Sequence, residues 1–275
     1  MTSLRDPVPS ISSGVPKDAR ELIWNVFFAA RNRGVTLSYH FPWIDESQIV
    51  RCIKLQIPDG SSFKCVATLI IKLDELSGVG RIGLIGLVCV HVDYRGRRFS
   101  TRLLESALEV ARQEGLRCLV LWTSHPSVYE KVGFSTDSID VFGSISRGES
   151  LQESALRSEE SITVTISECR DGGVPAFASS VIRYSSEDAS LCVCQSGERR
   201  SVVQWTGSVP AVMKLISLVL PDEWQLNADQ FDPLIDALRR QGYRATLKPS
   251  THRMVRVLSD SGASNLPYIG LLQRI

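Results

Sequence analysis

One stretch limits the fold more than any other. An apolar run at residues 82–92 passes through Asp93-Tyr-Arg-Gly-Arg-Arg98 into a helix-patterned segment at residues 99–114. Phe99, Leu103, Leu104, Ala107, Leu108 and Ala111 fall on one face of that helix, while Arg102, Glu105, Glu109 and Arg112 face out. Gly115 supplies the stop. A buried strand that feeds a long amphipathic helix through a tight basic turn belongs to an α/β architecture. The start of such a helix presents unpaired N–H groups and the positive end of the helix dipole, a setting for an anionic phosphate. Arg95, Arg97 and Arg98 add charge there, and Gly96 allows close backbone approach to a ligand. Two plainer readings of the same residues are a solvated basic turn and a small nucleic-acid patch.

The rest of the chain fits an α/β protein. Residues 16–33 carry Leu22, Ile23, Val26, Phe27 and Ala30 at helical spacing before Gly34. Residues 49–57 and 63–73 flank the turn Pro58-Asp-Gly-Ser and read as a hairpin. A strand at 117–122 and a short helix opened by Ser124-His-Pro126 follow, ending at Gly133-Phe134. Lys plus Arg number 31 against 30 acids in 275 residues, so no global field draws the chain to nucleic acid or to an anionic membrane. No run approaches the ~18 apolar residues of a membrane span, and Met1-Thr-Ser-Leu-Arg-Asp-Pro7 lacks the core of a signal peptide. The seven cysteines include no C-x-x-C pair. Cys89 and Cys118 sit in apolar runs, while Cys192 and Cys194 share one face of a strand, as buried thiols or as a metal pair. A cytoplasmic protein is expected.

Residues 88–105, Val-Cys-Val-His-Val-Asp-Tyr-Arg-Gly-Arg-Arg-Phe-Ser-Thr-Arg-Leu-Leu-Glu, resemble the pyrophosphate-binding motif of the GNAT acetyltransferases. In that motif an Arg or Gln is followed by two variable residues, Gly, one variable residue, and Gly or Ala. Arg95 matches the first position, Arg98 replaces the glycine, and Ser100 replaces the last small residue. Downstream, Tyr129-Glu-Lys-Val-Gly-Phe134 is similar to the family's Tyr-Glu-Lys-Leu-Gly-Phe ending. The resemblance spans about residues 20–142. It implies a mixed, splayed central sheet flanked by helices and acetyl-CoA as cosubstrate. It places the pantetheine and acetyl contacts at Val88, Cys89 and Val90, and the pyrophosphate at Gly96, Arg97, Arg98, Phe99, Ser100 and Thr101 beside Arg95. It gives Tyr129 the role of acid toward the departing thiolate; the plainer reading is a tyrosine packed on the sheet. No metal is implied.

The implied reaction is transfer of an acetyl group to an amine of a small molecule or peptide. The alternative is a non-catalytic acyl-CoA-binding or protein-interaction module. The general base is unassigned: the strand at 82–92 carries no carboxylate, His91 alternates away from Val90, and Asp45 and Glu46 follow the aromatic stretch Tyr39-His-Phe-Pro-Trp43. The expected organisation is a flexible arm over 1–15, a GNAT-like domain over 16–158 ending in a polar stretch, and a smaller α/β domain over 159–275. The second half repeats the order strand (201–205), helix (209–220), strand (224–226), helix (230–241) and strand (253–258). It reads as a degenerate second GNAT-like unit without the Arg cluster, left to shape the acceptor pocket or to mediate a homodimer.

Overall fold

The computed structural model describes residues 7–29, 34–148, 163–169, 172–259 and 266–275. The chain forms a mixed α/β structure divided into two compact units. One comprises Met1–Asp137, Arg253–Pro267 and Arg274–Ile275, and the other Ser138–His252 and Tyr268–Gln273. The division falls at Asp137, ahead of the polar stretch expected to mark it; residues 149–162 of that stretch lie outside the described residues.

The first unit opens with strand β1 (Val8–Ser13), helix α1 (Lys17–Phe27) and the short helix α2 (Leu37–His40). Strands β2 (Val50–Asp59), β3 (Ser62–Leu76) and β4 (Gly80–Val90) follow, then helix α3 (Phe99–Gln113) and strand β5 (Cys118–Thr123). Helix α4 (Pro126–Glu130) leads to β6 (Ser135–Arg147), which runs on into the second unit. The strand order is β1-β2-β3-β4-β5, and beside β5 lie residues 253–257 of the last strand, β12 (Tyr243–Val257). The arm expected over 1–15 is therefore, at Val8–Ser13, an edge strand paired antiparallel with β2. Its alternating serines leave no apolar period to read, and an edge position tolerates Pro9.

Two helices cover opposite faces of this sheet. Leu103, Leu104, Ala107, Val110 and Ala111 of α3 are buried against Ile53, Leu55, Leu69, Ile71 and Leu119. Each fully buried leucine there contributes about 1.5–3 kcal/mol. The pleat turns Lys54 to the other face, where its Nζ meets Asp18 of α1 at 2.7 Å. The far end of α3 is tied down by Glu114, which bonds Arg51 of β2 at 2.6 Å and Arg81 of β4 at 3.2 Å.

The second unit contains the remainder of β6, then β7 (Thr165–Glu168), β8 (Ser180–Ser185), β9 (Ala189–Ser196) and β10 (Arg199–Gly207). Helix α5 (Val209–Val219), β11 (Glu223–Asp229) and helix α6 (Pro233–Arg240) precede β12. The strands lie in the order β6-β11-β10-β9-β8-β7. Its core joins Val212, Leu215 and Ile216 of α5 and Leu234 and Leu238 of α6 to Val193, Val202, Trp224 and Leu226. As in the first unit, three antiparallel strands lead to a strand–helix–strand unit with parallel strands, here β10 and β11. The long β12 was expected only at its end, because Tyr243-Arg-Ala-Thr-Leu-Lys-Pro-Ser250 offers polar residues and a proline in place of an apolar run.

Candidate functional site

The site begins where two parallel strands part. β4 and β5 pair only from Ile82 to Leu84, against Cys118 to Val120. Immediately beyond, β4 carries a bulge: Thr68 of β3 faces Cys89 and Ile70 faces Gly86, one residue more on β4 than on β3. Leu87, inside the bulge, has φ of 50°, an uncommon conformation for a residue with a branched side chain. A bulge bends the strand that carries it, and among the described residues no strand pairs with the β5-facing backbone edge of Val88, Cys89 and Val90. At the mouth of the parting, the side chain of Ile275 lies against Gly86, where any Cβ would collide with it. The guanidinium of Arg274 sits 4.4 Å over the Trp122 ring.

From Val90 the chain makes a 3-10 turn (Val92–Tyr94), capped by His91, whose Nδ1 accepts from Asp93 N–H at 3.4 Å. Gly96 has φ of 77° and Arg98 φ of 59°, both left-handed. Arg98 occupies the N-cap of α3, and no side chain caps that helix. The first intrahelical bond runs from Arg102 N–H to Arg98 C=O, so the N–H groups of Phe99, Ser100 and Thr101 have no acceptor within the helix. An arginine in this conformation costs about 1–2 kcal/mol relative to an ordinary one. The helix start accepts that cost at the position where the family motif has glycine, and the backbone keeps the turn that glycine would give.

These elements enclose a cleft of about 650 Å³. Val88, Cys89, Val90, Arg95, Gly96, Arg98, Phe99, Ser100 and Thr101 all line it. Arg97, from the same motif, does not; its guanidinium lies 5.2 Å over the Tyr94 ring. Arg95 is held toward the strand by a 3.4 Å bond from Nε to Val90 C=O. Burial pushes the Cys89 thiol up to about 12, so it meets the cleft as a neutral, apolar group.

Tyr129 lies on the short helix α4, half-buried, with its ring 6.2 Å from Phe134 in an edge-to-face arrangement. It packs against the first unit's core, and its neighbours Val128 and Lys131 line the cleft. Desolvation raises its pKa above the ordinary tyrosine value and favours the neutral phenol, a proton donor. His91 is engaged with Asp93 and stacks edge-on against Tyr94 at 5.7 Å. Asp45 is bound to Arg20 at 2.6 Å and accepts from Ser38 Oγ at 2.8 Å. The Arg20 hydrogen bond, helped by Ser38, holds its carboxyl below the usual range. Neither Asp45 nor Glu46 lines the cleft.

Sequence reasoning missed several cleft residues. Val26 and Phe27 of α1 line it, although helical spacing assigned them to the core. Nothing local marks them, since they meet β4 only through the fold. Tyr94, Val128 and Lys131 stand within or beside the two motifs and were within reach of a reading that followed the motifs' neighbours.

A mixed sheet whose central parallel pair parts beside an uncapped, basic helix start has the layout of the GNAT fold. The chain carries the GNAT superfamily fold, and its residues 75–136 match the family described as an acetyltransferase (GNAT) domain. A GCN5-related N-acetyltransferase from Kribbella flavida aligns over 92% of this chain and 72% of its own, with a TM-score of 0.60 and 15% identity. A GCN5-related N-acetyltransferase from Anabaena variabilis ATCC 29413 aligns over 91% and 73%, with a TM-score of 0.62 and 14% identity. At these identities the likeness is one of fold. Comparison with curated proteins gives no match.

Proposed function

We propose that the protein is an N-acyltransferase that moves the acetyl group of acetyl-CoA to an amine of a small molecule or peptide. The observation that carries this reading is the unpaired edge of β4 running directly into the uncapped start of α3. An extended amide-bearing arm can pair with a free strand edge as an added strand would. A diphosphate suits three N–H groups that have no acceptor within the helix, flanked by Arg95 and Arg98. One strand-to-helix junction thus offers matching partners to both parts of CoA, in the order in which CoA carries them.

In the transfer, the neutral amine attacks the thioester carbonyl, a C–N bond forms, and collapse of the tetrahedral intermediate breaks the C–S bond. The thiolate must then take a proton. Tyr129 is the donor in this reading, supported by its place beside the cleft-lining Val128 and Lys131 and by the raised pKa that keeps it protonated. The amine's proton leaves to solvent, since the carboxylate of Asp45 is committed to Arg20 and Ser38.

The test has two stages. Calorimetric titration with acetyl-CoA should give saturable binding, and a thiol-release assay across a panel of amines should show turnover. Binding without turnover on any amine would instead favour a non-catalytic acyl-CoA-binding module, and absence of binding would sink the proposal.

A further inference from the structure

The cleft of the first unit holds one cation that the strand-to-helix junction does not use. Among the described residues it is lined by three positive side chains, Arg95, Arg98 and Lys131, and by no carboxylate. Arg95 and Arg98 belong to the turn between β4 and α3, the same turn that presents the N–H groups of Phe99, Ser100 and Thr101. Lys131 comes from elsewhere: it is the C-cap residue of α4, the helix that follows β5. Since β4 and β5 pair only as far as Leu84 and Val120, the cleft has a β4 side that carries both arginines and a β5 side that carries the lysine. The backbone around Lys131 is held in place. Val132 N–H and Phe134 N–H donate to Tyr129 C=O at 3.0 and 3.2 Å, and Arg256 Nη1 donates to Gly133 C=O at 2.9 Å. The Lys131 side chain itself is exposed, and among the described residues its ammonium has no ion-pair or hydrogen-bond partner.

We propose that Lys131 binds the 3′-phosphate of CoA, so that the cleft distinguishes CoA from its 3′-dephospho form; the assignment rests on the acyl-CoA reading given above. CoA carries more phosphate than the junction serves. Its diphosphate matches the three helix-start N–H groups and the two guanidiniums. Its third phosphate is a monoester on the ribose, with a second ionisation near pH 6, and so adds about −1.5 to −2 charges at neutral pH one sugar away from the diphosphate. The kinds of donor agree with this division. Converging N–H groups and flat guanidiniums suit a diphosphate held in one geometry, whereas an ammonium on a flexible stem acts as a point charge and can follow a terminal phosphate that rotates. Arg97 is not placed for the task, since it does not line the cleft and its guanidinium lies over the Tyr94 ring. Because Lys131 is exposed, the contact is screened by salt, and the discrimination is modest and strongest at low ionic strength.

The test is calorimetric titration of the protein with CoA and with 3′-dephospho-CoA, at low and at high salt. Wild type should prefer CoA by about three- to fivefold at low salt, and the preference should shrink as salt is raised. Lys131→Ala should weaken CoA to the level of the dephospho form, while Lys131→Arg, which keeps the charge, should retain most of the preference. Arg95→Ala should weaken both ligands by the same factor and leave their ratio as it was. Equal binding of the two ligands by wild type would overturn the assignment and leave the acyl-CoA reading standing. So would a Lys131→Ala protein that loses affinity for both alike, a result that would put the ammonium on the diphosphate. If wild type binds neither ligand, the acyl-CoA reading fails and takes the assignment with it.

Discussion

Arg98 is the residue at which sequence and structure are most informative together. Read as a sequence, it breaks the family motif; in the structure it adopts φ of 59°, the conformation glycine takes without strain. Arg98→Gly should therefore raise stability by about 1 kcal/mol, read as a higher Tm, and leave acetyl-CoA affinity unchanged or improved. A loss of binding in this variant would show that the arginine side chain, not the backbone turn, holds the phosphate. Gly96 behaves differently. Its φ of 77° forbids an easy Cβ, yet a Cβ there would meet open space, so Gly96→Val acts by straining the turn and not by collision inside the protein. Tyr129→Phe keeps the ring that packs against the core and removes only the hydroxyl. The expected outcome is a kcat lower by ~10²–10⁴-fold with acetyl-CoA binding nearly intact, from steady-state kinetics and titration on one preparation. Unchanged turnover would return Tyr129 to a packing role. The turn chemistry around these residues was legible because it is local: a strand, a left-handed glycine and a helix start are adjacent in sequence. Val26 and Phe27 were not, because their place in the cleft depends on how α1 crosses β4.

Between elements, each unit has a cleft at a helix start, of about 650 Å³ at α3 and about 820 Å³ at α5, and the two starts differ in what they offer a ligand. α3 begins without a side-chain cap. α5 begins at Ser208, whose Oγ accepts from Ala211 N–H, and at Pro210, which has no N–H to offer. The α5 start is thus largely satisfied from within. Ser208→Ala should destabilise the protein by about 1 kcal/mol in denaturant titration and leave acetyl-CoA binding untouched. The C-terminal end of α3 makes a prediction of its own. Burial alone would raise Glu114, but the hydrogen bonds and charges of Arg51 and Arg81 outweigh it and lower its pKa from the ordinary 4.5. A carboxylate with a depressed folded-state pKa contributes stability above its unfolded value and loses it as pH falls through the folded one. Glu114→Gln should therefore narrow the wild type's stability advantage to nothing at low pH and show its full cost above about pH 5. An equal cost at all pH values would mean that the ion pairs contribute nothing. The strong helices were readable from apolar period, whereas β1 and most of β12, being polar and marked by prolines, carry their strand character only in their partners' hydrogen bonds.

For the molecule as a whole, acetyl-CoA should raise Tm, since a ligand that binds only the folded state stabilises it by about 2.7 kcal/mol at a hundred times its Kd. No shift at millimolar acetyl-CoA would contradict the proposed function. Arg253 tests the architecture of the first unit. It is buried, bonds both oxygens of Asp137 at 2.9 Å, and donates to the carbonyls of Pro267 and Leu266. Arg253→Ala leaves the carbonyls of Pro267 and Leu266 without this donor, while water can still reach the Asp137 carboxylate, and should cost roughly 1–3 kcal/mol in chemical denaturation. No sequence pattern announces this pair, whose members are 116 positions apart. That separation has a consequence for how the protein is made. The strand beside β5 and the partner of Asp137 both come from residues after His252, so the first unit cannot close until Ser138–His252 has been synthesised. At ~5–20 residues per second this leaves ~6–23 s in which a nascent chain carries β5 with a bare edge, able to pair with a neighbouring nascent chain. A ribosome-associated chaperone that shields this edge would be needed longest at that stage.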